Sequence, residues 1–421
     1  MKSRLLFSML VAGLFAAVAM PLRLAAQEQS ATQERRAEVR YVVKDLGPVG
    51  APPGAPYFIT NNGLVSGAAA NPDGTMRAVL WYKGREMDIG TPGLEGPNNA
   101  AFGVNEFGRA VGQAETSVAN GEDFCGFNSY GFPSLTACLP FLWQNGVMTK
   151  LPTLGGANGF ANSINNGGEV AGLAETTNTD PTPGCPVFQF QPVIWKNGAI
   201  QELQINPGDT DGVAAYINDY GQAVGASGTC ASFNPLSGLY LEENHALLWE
   251  NGTVTDLGNL GGTGGIAGNH ACAINNRGQV VGHSELTNDA TFHGFLWTRA
   301  TGMQDLGTLP GDYASVSLGI NDTGEVVGAS LDANFNPRAS VRENGVMTDL
   351  NTLIPANSAL YLQFAYSINS SGAITGGAVT SSGNSHGFVA IPCDHSHADS
   401  EGCNDMEGAA AEPDGHAERP K

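Results

Sequence analysis

Charged residues are scarce in this chain, and cations are the scarcest. Of 421 residues only 14% are charged, with 19 Lys and Arg against 40 Asp and Glu, so the formal net charge is −21. An ordinary globular chain carries roughly 25% charged residues. A negative surplus repels phosphate backbones and anionic lipid surfaces. We therefore expect neither a nucleic acid nor an anionic membrane as a partner.

Helical periodicity and known catalytic motifs are also lacking. After the first 26 residues no segment has the apolar period of an amphipathic helix. The chain has no Gly-x-Ser-x-Gly elbow, no His-Glu-x-x-His helix and no phosphate-binding loop. Its 57 Gly and 23 Pro accompany 42% hydrophobic residues. These features predict a folded, turn-rich, all-β protein that is not an enzyme and has no cofactor.

The N-terminus predicts export. A basic start precedes an apolar run over residues 5–20, and small residues follow, which is typical of a secretory signal peptide over residues 1–26. Cleavage after Ala19 and cleavage after Ala26 both fit. The run is shorter than the roughly 20 residues of a membrane-spanning helix. After a polar lead-in over residues 27–40, we expect a secreted protein, periplasmic or extracellular, without membrane insertion.

Seven cysteines agree with an oxidising compartment. Cys272 lies in a core strand and is interpreted as a buried free thiol. The other six bracket insertions or the tail, and their pairing is a guess because six cysteines allow fifteen connectivities. The guessed disulfides are Cys125–Cys138, Cys185–Cys230 and Cys393–Cys403. Residues 393–421 hold 8 acidic and 2 basic residues, which predicts an acidic, mostly disordered tail.

Internal repeats predict the fold. The string Ile-Asn-x-x-Gly-x-Val-x-Gly, with substitutions, occurs seven times, and the Asn positions from Asn105 onward are 46 to 60 residues apart. A second string is an apolar run that ends in Trp, followed by a Gly turn and a short strand that ends in Asp-Leu. All five Trp fall at its Trp position: Trp81, Trp143, Trp195, Trp249 and Trp297. We expect them to be structural and to pack between repeats.

Each repeat is predicted to form four short strands, a to d. Asn-x-x-Gly is typical of a turn between a and b, and Asn-Gly of a two-residue hairpin between c and d. The last repeat lacks a strand d, whereas the orphan strand over residues 41–47 has the d pattern. Pairing of these two ends leaves no open sheet edge. Residues 41–392 are therefore predicted to form one seven-bladed β-propeller of four-stranded blades, closed by the N-terminal strand.

The repeats resemble a family of extracellular repeat proteins called HAF, named after the string His-Ala-Phe-Leu-Trp. The segments 245–249 and 293–297 are similar to that string, and 256–262 to its Asp-Leu-Gly-x-Leu-Gly-Gly copy. The resemblance covers nearly all of residues 41–392 and implies export and repetition. It transfers no catalytic residue.

Candidate site residues lie near the ends of the strands. Glu115, Glu175 and Glu285 follow the Gly that ends strand b, three residues later. One interpretation is an acidic rim that binds a cation or a sugar, and the other is solvated strand ends. His245, His293 and His386 begin strand c, where equivalent side chains diverge instead of converging on one zinc ion. We expect structural hydrogen bonds there and no metal site.

The long, variable b–c loops are the best location for a ligand, because binding residues are concentrated on loops of a rigid scaffold. The favoured interpretation is a non-catalytic, exported propeller, expected to be a monomer, that binds a protein or a glycan on the b–c loop face. One alternative is a polysaccharide lyase or hydrolase that uses acidic residues of that face. The other is a purely structural cell-surface component.

Overall fold

The computed structural model describes residues 40–393, apart from 51–53, 91–93, 123, 126, 128–134, 186, 235–238 and 266. The predicted signal peptide, the lead-in up to residue 39 and the tail from residue 394 lie outside the described residues. Within them, seven four-stranded sheets form, and helix is limited to the short 3-10 turns Thr287–Asp289 and Leu350–Thr352. None of the described helices is long and apolar enough to cross a membrane.

Seven antiparallel sheets follow one another along the chain as blades 1 to 7. Blades 1 to 3 comprise β2 (Ala55–Ile59), β3 (Leu64–Ala70), β4 (Met76–Tyr82), β5 (Arg85–Asp88); β6 (Glu95–Val104), β7 (Ala110–Ala119), β8 (Thr136–Gln144), β9 (Val147–Lys150); β10 (Gly159–Ile164), β11 (Val170–Thr179), β12 (Phe188–Lys196), β13 (Ala199–Glu202). Blades 4 and 5 comprise β14 (Asp211–Ile217), β15 (Ala223–Asn234), β16 (Leu239–Glu250), β17 (Thr253–Asp256); β18 (His270–Ile274), β19 (Val280–Glu285), β20 (Phe292–Thr298), β21 (Gly302–Asp305). Blades 6 and 7 comprise β22 (Ala314–Ile320), β23 (Val326–Leu331), β24 (Pro337–Glu343), β25 (Val346–Asp349); β26 (Leu360–Ile368), β27 (Ile374–Thr380), β28 (Ser385–Pro392), and β1 (Tyr41–Pro48).

The blades form a closed ring with their a strands innermost. Each a strand contacts the a strands of both neighbouring blades, and β26 of blade 7 contacts β2 of blade 1. The seventh sheet has the order β1-β28-β27-β26. Strand β1 pairs antiparallel with β28, from Tyr41 opposite Pro392 to Pro48 opposite His386. The predicted seven-bladed propeller, closed by its N-terminal strand, is therefore confirmed.

The repeated Asn of the a–b turn has two roles. In blade 2, Asn105 Oδ1 accepts hydrogen bonds from the backbone N–H groups of Phe107 and Arg109, both at 3.1 Å, and Gly108 adopts a φ of +71°. This is the turn that Asn-x-x-Gly predicts. Meanwhile Asn105 Nδ2 donates to the carbonyl of Asn165 in blade 3 at 3.0 Å. The second bond was not expected from the sequence.

That second bond recurs around the ring as a belt of side-chain amides. Six Asn residues donate to the next blade, each over 2.9–3.0 Å: Asn105 to Asn165, Asn165 to Asn218, Asn218 to Asn275, Asn275 to Asn321, Asn321 to Asn369 and Asn369 to Thr60. Blade 1 has Thr60 at this position, and there Glu106 instead accepts from the Asn61 and Asn62 N–H groups. Buried hydrogen bonds from side-chain amides to the next blade thus hold the inner strands in one ring.

Each tryptophan packs between its own blade and the preceding one. Trp195 lies in one apolar cluster with Val111 of blade 2, and its Nε1 donates to the Pro152 carbonyl at 2.7 Å. Trp249 likewise packs with Ala171 of blade 3. Its Nε1 donates to a carbonyl in the loop between the blades. The identical position in each repeat therefore corresponds to one type of inter-blade contact.

The second residue of several c strands pairs with a carboxylate on strand d. His293 Nδ1 lies 2.9 Å from Asp305, and His386 Nδ1 lies 2.9 Å from Asp45. In blade 6 an arginine, Arg338, replaces the histidine. These contacts connect the His at the start of the apolar run with the Asp of Asp-Leu-Gly, and they are structural hydrogen bonds of the kind expected for these histidines.

The cysteines join loops to strands. Cys125 is bonded to Cys138 within blade 2, and Cys185 in the b–c loop of blade 3 is bonded to Cys230 on β15 of blade 4. These two guessed disulfides are confirmed. Cys393 is also disulfide-bonded, and its guessed partner at position 403 lies outside the described residues.

Candidate functional site

The ring has two unlike faces. The turn face carries the a–b and c–d turns, which are uniformly short, and the loop face carries the b–c and d–a loops. The b–c loops differ in length: residues 71–75, 332–336 and 381–384 are short connections, whereas blades 2 to 4 have longer ones. Loops of different length on a rigid ring favour the loop face as the location of a ligand site.

The three glutamates proposed from the sequence are buried and do not form an exposed rim. Glu115, Glu175 and Glu285 have relative exposures of 0%, 1% and 0%. Glu175 and Glu285 accept hydrogen bonds from the d–a loop that leads into their blade, and Glu115 accepts them from Asn98 on β6. Glu175 Oε2 accepts from the Ala157 and Asn158 N–H groups at 2.8 and 3.1 Å. A buried carboxylate held by backbone donors stabilises a loop, a role that differs from both interpretations of the sequence.

Glycines explain why these carboxylates are covered. A Cβ on Gly156 would lie 2.6 Å from Glu175 Cγ, and a Cβ on Gly262 would lie 2.4 Å from Glu285 Cβ. The d–a loop can therefore close over the glutamate only where it has no side chain. Leu-Gly-Gly in the repeats is the sequence signal for this contact, although its spacing from the glutamate does not reveal it.

The central channel holds two cavities. The one toward the loop face has a volume of about 240 Å³ and is lined largely by side chains of the a strands, together with Leu239 from a c strand. The one at the turn face has about 110 Å³ and is lined by the Asn belt and the residues beside it. Phe58 of blade 1 and Tyr216 of blade 4 line both cavities, and their ring centroids are 6.0 Å apart. This pair of rings lies between the two cavities.

An arc of contacting aromatic rings lines one side of the loop-face cavity. We define the aromatic arc as Tyr366, Tyr57, Phe102 and Phe160, which come from blades 7, 1, 2 and 3. Successive ring centroids lie 5.9, 5.1 and 4.6 Å apart. All four rings are half-buried. Concave, mostly apolar cavities with a few polar groups are where proteins bind small ligands.

Polar groups interrupt the apolar lining of this cavity. Ser163, Ser367, Asn162, His270 and Cys272 all contribute to its wall. Cys272 is a free cysteine and is only partly buried, because it faces the cavity instead of the core. The cavity thus combines flat aromatic surfaces with hydroxyl, amide and imidazole groups.

A buried polar cluster supports the blade 5 wall of the cavity. Glu243 Oε1 lies 2.9 Å from His270 Nδ1, and Cys272 Sγ lies 3.8 Å from His283 Nδ1. His283 Nε2 forms a hydrogen bond with the Ala267 carbonyl at 3.0 Å. Burial lowers the pKa of His283 to about 4 and raises the pKa of the Cys272 thiol. At neutral pH both groups are uncharged, so the thiolate needed for nucleophilic attack is disfavoured.

Two carboxyl pairs link b–c loops to the next blade. Glu122 in the b–c loop of blade 2 hydrogen-bonds Glu175 of blade 3, and partial burial raises the pKa of Glu122 to about 8. Asp180 in the b–c loop of blade 3 hydrogen-bonds Asp211 of blade 4, and burial raises the pKa of Asp211 to about 7. Each pair therefore shares a proton at pH 6, because two adjacent carboxylates repel each other.

We expect stability to fall as the pH rises from 6.5 to 8. In the unfolded chain these carboxyls release their protons near pH 4, so the folded state binds more protons and its advantage is lost through pH 7 to 8. His283 has the opposite effect, but only below pH 6.5. Glu122 is only half-buried, so solvent screening reduces its effect below the about 1.4 kcal/mol per pKa unit of an isolated group.

Urea denaturation at pH 6.5, 7.25 and 8 measures this slope. The double variant Glu122→Gln, Asp211→Asn keeps side chains of the same shape that can hydrogen-bond but do not titrate. It should therefore reduce the dependence of the unfolding free energy on pH. An unchanged slope in the variant would show that these pairs do not share protons.

Among the described residues, one group of three has the composition of a metal site: Asp180, Cys185 and Cys230. Both of its sulfurs are joined in the disulfide described above. A disulfide sulfur does not ligate as a thiolate, so this group does not fit a metal ion.

Comparisons with known proteins give only distant similarities. No protein-family model matches the chain, and no curated protein matches it. Among solved structures, a Mycobacterium tuberculosis puromycin-hydrolysing peptidase is 10% identical with a TM-score of 0.37, over 82% of this chain and 59% of that protein. An ulvan lyase from a new family of polysaccharide lyases is 10% identical with a TM-score of 0.43, over 83% of this chain and 95% of that one. The Aleuria aurantia lectin is 7% identical with a TM-score of 0.32, over 83% and 91%. The chain spans less than two thirds of the peptidase, and similarities this low assign no activity.

Proposed function

We propose that this chain is an exported, non-catalytic binding propeller of the HAF-repeat kind, whose ligand lies in the loop-face cavity. The observation that carries the proposal is the aromatic arc in a cavity of about 240 Å³. A protein side chain or a glycan could fill this volume, and the lining favours a glycan. Sugar rings have apolar C–H faces that stack on aromatic rings and hydroxyls that bond to groups such as Ser163 and Asn162.

The state of the acidic and nucleophilic groups supports a role without catalysis. Glu115, Glu175 and Glu285 are buried, where a polysaccharide does not reach them. Glu122 and Glu175 share a hydrogen bond, whereas the two carboxyls of a glycosidase lie roughly 5–10 Å apart. These glutamates therefore do not offer the accessible carboxylate pair that the alternative of a lyase or hydrolase on this face needs.

Disulfide chemistry supports export. Two disulfides tie the loop face together, and such bonds persist in oxidising compartments. The net charge of −21 favours a protein that remains dispersed and monomeric outside the cell. A purely structural role on the cell surface is the remaining alternative, and it predicts no ligand in the cavity.

The proposal predicts that removal of one arc ring weakens ligand binding at least about tenfold, which corresponds to about 1.4 kcal/mol. The mature chain is screened on a glycan array, and the affinity of its strongest ligand is compared by titration calorimetry with that of Tyr57→Ala and Phe102→Ala. Tyr220→Ala serves as the matched control, because Tyr220 is a 76% exposed aromatic on the turn face.

Equal affinities in all three variants would place the ligand elsewhere, and an array without any bound glycan would favour the structural alternative. Catalysis is tested on the same array by product analysis. Turnover that is lost in Glu175→Gln would replace the binding proposal with the enzyme alternative.

A further inference from the structure

Ten hairpin turns of this propeller share one hydrogen-bond pattern. In each turn the first residue's N–H donates to the carbonyl of the fifth, and the fourth residue's N–H donates to the carbonyl of the first. Seven are the a–b turns, and three are the short b–c turns of blades 1, 6 and 7. The fourth residue has a positive φ in all ten, and it is Gly in nine: Gly63, Gly108, Gly168, Gly221, Gly278, Gly324, Gly372, Gly74 and Gly383.

The tenth turn has phenylalanine at this position. Phe335, with a φ of +61°, lies in the b–c turn of blade 6. A bulky side chain in the left-handed region brings its Cβ too close to the following carbonyl oxygen, a conflict that glycine avoids. The turn is fixed by Asp332, whose carboxylate accepts from the Asn334 and Asn336 N–H groups at 2.7 and 3.0 Å. Strained residues that are held in place by their surroundings are concentrated at functional sites.

Phe335 is also exposed, so packing alone does not explain it. Its relative exposure is 52%, and its ring centroid lies 6.0 Å from that of Tyr313, which is 42% exposed. Tyr361 is 44% exposed. It lies at the start of β26 in blade 7, which packs against β24, the strand that follows this turn. We define the Phe335 patch as these three exposed aromatics.

Planar polar groups border the patch, and their net charge is negative. Arg338 is the cation among them, and its guanidinium is engaged by two carboxylates, Asp312 at 2.7 Å and Asp349 at 3.4 Å. Asp332 adds a further negative charge. Such a border repels uronates and sulfated sugars. Carboxylates and a guanidinium beside exposed rings instead match the paired hydroxyls and the C–H face of an uncharged sugar.

The patch is connected to the central cavity by ring contacts. Phe335 lies 6.4 Å from Phe292, which lies 6.2 Å from His283. His283 stacks at 5.8 Å on His270, a residue of the cavity wall. Phe292 and His283 are each only 3% exposed, so the rim of blades 5 and 6 is joined to the cavity wall through buried rings beneath the loop face.

We propose that the Phe335 patch is a binding subsite for a neutral saccharide ring, and that Phe335 occupies a glycine position because its ring stacks on the sugar. The subsite adds a contact at the rim to the ligand site proposed in the cavity. It rests on the proposed glycan-binding function only because it requires a glycan at the loop face. It lies on the blades with short b–c loops, opposite to the long loops that the sequence favoured.

Affinity electrophoresis of the mature protein tests the subsite, with neutral glucan, mannan, galactan or xylan in the gel and with uronate-rich and sulfated polysaccharides at equal mass. We expect a neutral polysaccharide to retard the wild-type chain and the acidic ones not to. Phe335→Gly should reduce that retardation at least about tenfold in apparent Kd, while its melting temperature stays equal or rises because the strain is removed. Gly383→Phe, at the equivalent turn of blade 7, is the matched control and should lower the melting temperature without any change in binding.

Each result decides the proposal. Full retardation of Phe335→Gly, together with a lowered melting temperature, would show that Phe335 is only a packing residue. Retardation by acidic polysaccharides alone, by none of the polysaccharides, or capture of a protein partner that requires Phe335 would each overturn the neutral-saccharide assignment. If Tyr57→Ala abolishes glycan binding and Phe335→Gly does not, the cavity site remains and the rim subsite is rejected.

Discussion

A mature chain that begins at residue 49 should lose the cooperative stability of the ring. Without β1, strand β28 exposes a row of unpaired backbone donors and acceptors, and the pocket that buries Tyr41 to 3% exposure is emptied. The salt bridge of Arg40 Nη1 with Glu343 Oε2, at 2.6 Å, is lost with it. We expect the melting temperature to fall by at least about 10 °C, with aggregation, as measured by calorimetry and light scattering.

Deletion of residues 27–38 alone is the control for this truncation. It leaves Arg40 and the whole of β1 in place, so its melting temperature should match that of the full mature chain. If the chain that starts at residue 49 melts like the full mature chain, β1 does not close the ring.

Trp249→Ala should destabilise the protein by ~3–5 kcal/mol, as truncation of a large buried aromatic does. The side chain is 4% exposed, it packs with Leu247 and Ala171 across the interface of blades 3 and 4, and its Nε1 donates to the Gln204 carbonyl at 2.6 Å. The alanine variant loses this packing and leaves an inter-blade void. Urea denaturation monitored by far-ultraviolet circular dichroism measures the difference.

Trp143 provides the matched control because it has the same place in blade 2 but is only half-buried. Trp143→Ala should cost less than Trp249→Ala. Equal, small effects in both variants would mean that the tryptophans do not hold adjacent blades together.

The architecture could be predicted because it repeats. Six copies of Asn-x-x-Gly and the Thr-x-x-Gly of blade 1 identify the a–b turns, and the left-handed φ of their glycines follows from turn geometry. The orphan strand at Tyr41 could be assigned because only it lacked a partner. Closure of the ring is therefore an inference from counting strands, and no side-chain detail is needed for it.

The roles of the buried glutamates could not be predicted. Glu115, Glu175 and Glu285 look like exposed strand ends in an acidic chain, and their burial depends on the segment before each a strand, or at its start, that folds back over them. Whether a loop closes depends on contacts such as that of Gly156 with Glu175. Periodicity within one strand contains no information on such contacts between segments.

The aromatic arc and Phe335 were missed for a different reason. Tyr57, Phe102 and Tyr366 each lie three residues before the repeated Asn or its Thr60 equivalent, so alignment of the repeats would have placed them on one ring of the channel. They look like core residues when each strand is considered separately. Phe335 is revealed only when its turn is compared with the nine turns that have Gly.

The central claim is that the loop face of this propeller is a ligand site. Its most direct test is a crystal structure of the mature protein with the neutral oligosaccharide that it binds most tightly. The account predicts sugar density in the loop-face cavity, with rings stacked on Tyr57 or Phe102 and the chain running toward Phe335. Sugar density confined to the turn face, beside Tyr220 and the Asn belt, would contradict it.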